Sequence, residues 1–494
     1  MATAVLRNLN DPKSRAILLE RLAEFGEGSF SADQGVAYHA EPPNKISLPN
    51  GMTPAQGAKA LTEVSHALAQ EEAFTRTFKF RPWDGAYAVV QVMSKFFGTT
   101  GRGMTIHSFF GSTPPRQIEI EVGPRETAQV AWGNVEFAAF DGMLSFDSVY
   151  DNEFGQLFQL TIVCPKRHGK SVTGFFNLVQ AQLEEHSIYK GKAIKNAHDV
   201  PRFLDLSDDD TIVYSADVED ALNSTVWGVI EHADLLRADR RKIAKRVLMY
   251  GPYGTGKSEA GKKTAVVANA NGWTFLSFHS GKGTLDELEA TMATARLYAP
   301  SIVFIEDIDI YASKMNEEYQ TRLSNLFDGV TTKDAEVMIL MTSNHPAEFS
   351  KAMTRAGRVD RMIEIGSLDK EATERLIRKV IGDARIGEVD FERVWTAMDG
   401  FEPSFVRQTF DQAAEAALIR TGSREYVLAT QDLVTAANLM RPQHDQHSNK
   451  DDSRKVRTLD MVFQETIEYV MSKRLQGHFD IDEGELNYEV LPAS

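Results

Sequence analysis

The chain has 494 residues, of which 42% are hydrophobic and 25% charged, proportions that are ordinary for folded globular proteins and exclude a disordered or fibrous chain. This length allows about three domains. The formal net charge of −16 disfavours non-specific attraction to nucleic acid or to an anionic membrane. The single cysteine cannot form an intramolecular disulfide, and the sequence shows neither a secretion signal nor a bilayer-spanning segment, so we expect a cytoplasmic protein.

Residues 1–195 are predicted to form an α+β domain that binds a partner. Helical spacing over 14–25 and 54–70 is followed by alternating apolar runs typical of strands, and then by a further helical segment. The strand-like runs cover 116–122, 128–133, 135–140 and 158–164, and the later helix covers 171–186. The acidic, proline-containing stretch 196–215 is interpreted as a linker.

Strand-like apolar runs then alternate with helical ones over 216–368, which predicts an α/β domain with a parallel sheet covered by helices. The runs are 246–251, 274–279, 302–307, 337–343 and 362–366. Helical segments without intervening strands predict a small helical lid domain over 369–440. The polar stretch 441–455 is interpreted as a flexible linker, and 456–494 as an amphipathic helix with a tail.

A glycine-rich run follows the first of these strands and matches G-x-x-x-x-G-K-[ST], the pattern of a phosphate-binding loop. It consists of Gly251, Pro252, Tyr253, Gly254, Thr255, Gly256, Lys257 and Ser258, and Glu259 completes the predicted nucleotide-binding segment. Glycines let backbone N–H groups surround a polyphosphate at a helix N-terminus. Lys257 is expected to neutralise the β and γ phosphates, and Ser258 to ligate Mg²⁺.

Polar side chains end two later strands of the predicted sheet. Glu306 and Asp307 follow the apolar run 301–305, and Asn344 follows the run 337–343. Ligands bind at the carboxyl edge of such sheets, and Mg²⁺ prefers oxygen ligands. We therefore predict that these side chains face the phosphates, with the amide of Asn344 orienting the attacking water.

From about Val218 to Arg420 the chain resembles the AAA family of AAA+ ATPases in four motifs: GPYGTGKS (Walker A), IVFIED (Walker B), the sensor-1 asparagine in MTSNHP, and TRAGRVDR. The resemblance implies ATP and Mg²⁺ as cofactors and a homo-oligomeric ring, hexameric in this family. It also assigns Arg355 and Arg358 as arginine fingers lent to the neighbouring subunit, a contribution worth about 10³ to 10⁵ in rate. Arg361 is interpreted as structural, and Arg407 as a weaker candidate for a phosphate contact.

The sequence departs from this family in two places. Most relatives end the Walker B strand in Asp-Glu, whereas this chain has Glu306-Asp307; by position, Glu306 is assigned to the metal and Asp307 to water activation. That order resembles the subgroup of the mitochondrial Rieske-protein translocase. The stretch 278–284 lacks the aromatic-hydrophobic pair with which threading relatives grip a polypeptide, so standard threading is not expected.

These features predict a ring-forming ATPase that remodels a protein partner bound by the N-terminal domain. Two alternatives stay open. One is a nucleic-acid-associated ATPase of the helicase-loader or initiator type, for which the sequence offers only the short basic patches 166–170 and 237–246. The other is an ATP-gated assembly protein with slow turnover, because the aspartate at 307 is one methylene shorter than the usual glutamate.

Overall fold

The computed structural model describes residues 70–97, 106–108, 111–113, 116–197, 199–206, 212–312, 321–323, 325–327, 336–345 and 359–453. The two N-terminal helical segments and the C-terminal amphipathic helix predicted from the sequence lie outside these residues. The chain divides into two compact units. The first runs up to Lys379 and includes Glu402–Ser404, and the second comprises Val380–Phe401 and the described residues from Phe405 onward.

A five-stranded antiparallel sheet, in the order β1-β7-β6-β5-β4, opens the described part of the first unit. Its strands are β1 (Glu71–Phe78), β4 (Arg116–Gly123), β5 (Glu126–Phe137), β6 (Gly142–Asp151) and β7 (Gly155–Pro165), and β2 (Ile106–Ser108) pairs with β3 (Gly111–Thr113) in a separate ribbon. Two helices accompany the sheet, α1 (Pro82–Phe97) and α2 (Gly169–His186). The predicted α+β character of this region is confirmed.

Helix α1 was not predicted, because its sequence begins Pro-Trp-Asp-Gly and continues with β-branched residues that favour a strand. Tertiary packing decides the outcome instead. A Cβ on Gly85 would lie 2.0 Å from the ring of Phe158 on β7, so the glycine, although it lowers helix propensity, lets the helix approach the sheet closely.

The second sheet has seven strands in the order β14-β10-β13-β12-β11-β8-β9. Its strands are β8 (Ala193–Asn196), β9 (Arg202–Phe203), β10 (Arg246–Tyr250), β11 (Thr274–His279), β12 (Ser301–Glu306), β13 (Val337–Ser343) and β14 (Arg361–Glu364). All pairings except β8–β9 are parallel. Adjacent residues of one strand belong to different hydrophobic cores, since Leu248 lies in the first and Met249 in the second. The sheet is therefore covered on both faces, as predicted for an α/β domain.

Helices connect and cover these strands. They are α3 (Ala216–Leu222), α4 (Gly228–Glu231), α5 (Ala233–Ala238), α6 (Lys257–Ala270), α7 (Leu285–Leu297), α8 (Asp309–Ala312) and α9 (Lys370–Ile381). Within the described parts of the chain, no helix is both long and apolar enough to cross a membrane.

Residues 193–203 differ from the sequence prediction, which divided them between the N-terminal domain and a linker. They form β8 and β9, which extend the parallel sheet beyond β11. The strands are too short for an alternating pattern to be recognised, and the backbone of Phe275 completes the pairing by donating from its N–H to Lys192 O at 2.9 Å.

The second unit is helical in its described part, with α10 (Phe391–Ala397), α11 (Pro403–Thr421) from Phe405 onward, and α12 (Thr430–Ser453). The prediction of a flexible linker starting at 441 is wrong, because α12 continues to Ser453 despite the proline at 442. Side-chain contacts hold this polar stretch in place. Arg441 donates to Asp399 O at 2.7 Å, and the ring of His444 lies 4.7 Å from that of Phe401.

The antiparallel sheet region and the parallel sheet share one hydrophobic core and a buried polar network. Arg81, just before α1, donates from Nε to Thr294 Oγ1 of α7 at 2.9 Å. Asp84 of α1 accepts from the hydroxyl groups of Ser187 at 2.6 Å and Tyr298 at 2.9 Å. The N-terminal region is therefore joined to the helix between β11 and β12 by directional contacts as well as by apolar packing.

Candidate functional site

The phosphate-loop sequence lies between β10 and α6, as predicted. At two of its glycines a side chain would collide with neighbouring atoms. A Cβ on Gly251 would lie 2.1 Å from Ile365 O, and one on Gly254 would lie 2.2 Å from Ser404 Oγ. Gly254 and Gly256 have φ angles of 78° and 96°, in the left-handed region that favours glycine. Glycine is thus required at these positions by close packing against Ile365 and Ser404 and by the left-handed backbone conformation.

Lys257 is the first residue of α6 and is 6% exposed. Its Nζ donates to Gly251 O at 2.8 Å and to Pro252 O at 2.6 Å, so the ammonium group rests on carbonyls of its own loop. Burial lowers the pKa of Lys257 to about 8, while Asp307 and Asp309 act in the opposite direction. An anion bound in the loop would favour the charged form and would compete with the carbonyls for its N–H groups.

The other loop residues have distinct environments. Thr255 is 1% exposed and donates from Oγ1 to Pro252 O at 3.0 Å, which fixes the shape of the loop. Ser258 is exposed on the first turn of α6, so its hydroxyl is accessible to a metal ion. Glu259 instead binds Lys262 at 2.7 Å, and Tyr253 is 41% exposed.

Asp307, directly after β12, adopts the left-handed conformation with φ of 52°, which is uncommon outside glycine and is concentrated at functional sites. Three hydrogen bonds join Asp307 and the following residue, Ile308, to β13 and to Asn344 at its C-terminal end. The N–H of Asp307 donates to Thr342 Oγ1 at 3.0 Å, the N–H of Ile308 donates to Thr342 O at 2.9 Å, and Asn344 Nδ2 donates to Asp307 Oδ1 at 2.9 Å. The structure therefore brings together the predicted Walker B acid and the predicted sensor asparagine.

The strand order explains this meeting. β13 lies between β10 and β12, so Asn344 emerges between the phosphate loop and the acidic end of β12. Glu306 ends β12 and is half-buried, with its carbonyl accepting from Ser280 N at 3.1 Å. Sequence reasoning missed Thr342, because a threonine inside an apolar strand run gives no sign that its hydroxyl faces the following strand end.

Asp309 is a further carboxylate that the sequence analysis did not assign. It is 5% exposed, its Oδ1 has no hydrogen-bond partner, and burial raises its pKa, with a smaller increase from Asp307. A buried carboxylate close to Lys257 and Asp307 adds to the acidic character of this edge, which suits a site for a cation.

These residues fit a nucleotide with its metal. The glycine cradle and Lys257 would hold the phosphates, and Ser258 and Glu306 would hold Mg²⁺, which when bound neutralises phosphate charge. Asn344 donates to Asp307, and the role of Asp307 in water activation stays a prediction. The predicted arginine fingers Arg355 and Arg358 lie outside the described residues.

Two other arginines named in the sequence analysis are described. Arg361 is exposed and begins β14, and its structural role stays a prediction. Arg407 belongs to the second unit, and its suggested contact with phosphate stays a prediction. The likeness of the Glu306-Asp307 order to the Rieske-translocase subgroup also stays a prediction.

Residues 247–367 match the model of the ATPase family associated with various cellular activities (AAA). Similar proteins include a cell division cycle protein 48 homolog of Archaeoglobus fulgidus, 31% identical over 39% of this chain and 28% of that protein. A proteasome-activating nucleotidase of Sulfurisphaera tokodaii is 29% identical over 43% of this chain and 57% of its own length. An ATP-dependent zinc metalloprotease FtsH of Thermus thermophilus is 30% identical over 40% and 33%.

Among solved structures, the FIGL-1 AAA domain aligns with a TM-score of 0.38 and 24% identity, covering 48% of this chain and 86% of that one. The chain spans between 28% and 57% of the length of the three relatives above. With the phosphate loop, the acidic strand end and the asparagine in the predicted order on a parallel sheet, the chain contains a domain of the AAA family.

Proposed function

We propose that this chain hydrolyses Mg-ATP at the site around Lys257 and uses the reaction, as a homo-oligomeric and hexameric ring, to remodel a protein partner. The observation that carries the proposal is the 2.9 Å hydrogen bond from Asn344 to a left-handed Asp307. It fixes the carboxylate of the strand end next to the phosphate loop, where a general base for water is needed.

The catalytic part of the proposal is tested by measuring binding and turnover separately. Lys257→Ala removes the cation that would neutralise the phosphates, so it should abolish binding of Mg-ATP. Asp307→Asn keeps the hydrogen bond from Asn344 but cannot accept a proton, so it should bind Mg-ATP normally and lose phosphate release. Lys262→Ala, an exposed position on the same helix, is the control and should match the wild type. Unchanged turnover in both site variants would refute the site.

The ring is tested through the arginines of the segment TRAGRVDR. Arg358→Ala should leave Mg-ATP affinity nearly intact and depress hydrolysis, and wild-type activity should fall when the variant is mixed into the same rings. A strictly monomeric protein with full activity would contradict the requirement for a neighbouring subunit.

The proposed partner is a protein that the N-terminal region binds, and the proposed action does not use an aromatic threading loop. Phe278 is 5% exposed and stacks on Tyr311 with ring centroids 6.4 Å apart, so it belongs to the core and cannot grip a polypeptide. Cross-linking pull-down with the Asp307→Asn variant would identify the partner, since a trapped ATP state prolongs the complex.

A nucleic-acid role finds less support, because several arginines of the basic patches pair with acidic side chains of the fold. In the patch 237–246, Arg237 binds Glu336 at 2.8 Å, and Arg246 binds Asp360 at 3.2 Å. In the patch 166–170, Arg167 lies 3.3 Å from Asp141. Salt-dependent binding of single-stranded or duplex DNA, with stimulated ATPase activity, would revive this alternative.

An ATP-gated assembly protein remains the second candidate, favoured by the Glu306-Asp307 order, which places the shorter carboxylate at the position assigned to water activation. In that case ATP binding would drive assembly of the ring, and slow hydrolysis would only lead to its disassembly. Sedimentation velocity with Mg-ATP, alongside phosphate release, separates the two candidates: robust ring formation with negligible turnover favours assembly. We also propose a cytoplasmic location, consistent with the single buried cysteine.

A further inference from the structure

Tyr214 lies before α3, in a stretch that the sequence analysis treated as a linker, yet it contacts the phosphate loop directly. Its hydroxyl donates to Gly256 O at 2.8 Å. Its ring lies 3.4 Å from the position that a Cβ on Gly256 would occupy. The residue is 4% exposed, and burial raises its pKa far above the ordinary value, so the hydroxyl stays protonated and remains a donor.

The carbonyl that Tyr214 contacts belongs to the peptide that opens α6. Gly256 O also accepts from Ala260 N at 3.0 Å, so both acceptor positions of this oxygen are used. Because a trans peptide is planar, the N–H of Lys257 points opposite to this carbonyl, out of the helix N-terminus. Fixing the carbonyl therefore fixes the direction of an N–H group that would meet a phosphate.

Tyr214 is itself held from two sides. Arg375 of α9 donates from Nη2 to Tyr214 O at 2.6 Å and from Nη1 to Glu219 at 3.1 Å. On the other side, the ring of Trp227 lies 6.4 Å from that of Tyr214, and Trp227 Nε1 donates to Thr264 of α6 at 3.0 Å. These contacts leave the tyrosine side chain little freedom.

We infer that Tyr214 is a positioning residue of the nucleotide site, which locks the Gly256–Lys257 peptide in the orientation that binds phosphate, and that Arg375 acts through it. The inference rests on the proposed function, since it concerns binding of a nucleoside polyphosphate. Tyr214 need not touch the nucleotide. Its contribution is to pre-orient the loop, which reduces the ordering cost that the ligand would otherwise bear.

The test is calorimetric titration with Mg-ADP, a ligand that is not consumed. Tyr214→Phe removes one hydrogen bond and keeps the ring, so affinity should fall about 2- to 10-fold, the range expected for a single net hydrogen bond. The matched control is Tyr311→Phe. Tyr311 is 3% exposed and donates to a glycine carbonyl, Gly283 O, at 2.9 Å, but it lies outside the phosphate loop, so affinity should be unchanged.

A double-mutant cycle separates positioning from general destabilisation. Arg375→Met should weaken Mg-ADP binding in the wild type, and its effect should shrink when Tyr214 is already phenylalanine, because Arg375 acts through that hydroxyl. Equal losses in Tyr214→Phe and Tyr311→Phe, no loss in Tyr214→Phe, or strictly additive effects in the cycle would each overturn the inference while leaving nucleotide binding established. A wild-type protein that binds no Mg-ADP would instead refute the proposed function itself.

Discussion

Replacing Asp84 with asparagine should change how the stability of the first unit depends on pH. The carboxyl group is 1% exposed, and burial raises its pKa from 3.8 to about 6, although three hydrogen bonds from Ser187, Ile188 and Tyr298 act in the opposite direction. A group whose pKa is raised by folding favours the folded state when protonated. The stabilisation that the protonated carboxyl group of Asp84 gives the folded state is therefore complete below pH 3.8 and is lost as the pH rises through 6.

The size of the effect follows from the shift. A change from 3.8 to about 6 corresponds to about 3 kcal/mol between the two extremes, and to about 1 kcal/mol between pH 5 and pH 7, over which the protonated fraction of Asp84 in the folded state falls from about nine-tenths to about one-tenth. Asparagine has nearly the same shape and no charge. The free energy of unfolding of Asp84→Asn, measured relative to the wild type, should therefore rise by about 1 kcal/mol from pH 5 to pH 7.

Urea unfolding followed by tryptophan fluorescence measures this difference, since Trp83 and Trp132 lie 4.9 Å apart in the same region. Asp84→Ala is the contrasting variant. It leaves the N–H of Ile188 and two hydroxyl donors without their acceptor, so it should be less stable than the wild type by about 1 to 3 kcal/mol or more at every pH. Parallel pH profiles for wild type and Asp84→Asn would refute the reasoning.

Two further predictions concern single side chains. Thr342→Val removes the acceptor for the N–H of Asp307, so phosphate release should fall about 5- to 10-fold with Mg-ATP affinity unchanged. Thr342→Ser keeps the hydroxyl and should retain activity. Equal turnover in the wild type and both variants would contradict a role for the hydroxyl. Cys164 is fully buried, and burial raises its pKa to about 11, so the folded protein at pH 8 should react with a disulfide reagent far more slowly than the protein in urea; equal rates would show that the thiol is accessible.

The sequence predicted five of the seven strands of the second sheet, β10 to β14, because each of these five carries its own signal. The runs that became β10 to β14 are apolar, short and bounded by polar residues, and a buried parallel strand needs no information from distant residues to be recognised. The phosphate loop is equally local, since its glycines, Lys257 and Ser258 are consecutive. In these elements, residues that lie close together in the sequence also lie close together in the fold, so the sequence pattern alone locates them.

What the sequence could not predict depends on contacts between distant residues. Helix α1 forms where a β-branched run suggested no helix, because Gly85 lets it pack against Phe158 of β7. The hydroxyl of Tyr298 reaches Asp84 across 214 residues, and Thr342 supports Asp307 from the neighbouring strand. In each case the residue type is ordinary, and only the folded arrangement gives it a partner.

The contacts of Tyr298 also connect the N-terminal region with the strands that end at the nucleotide site. Thr274 at the start of β11 donates from Oγ1 to Tyr298 O at 2.9 Å, and Ser301 at the start of β12 donates from Oγ to Ala295 O of α7 at 2.7 Å. A displacement of α1 would therefore disturb hydrogen bonds at α7 and at the amino ends of both strands. The N-terminal region is thus joined by hydrogen bonds to the amino ends of β11 and β12, and Glu306 stands at the opposite, carboxyl end of β12.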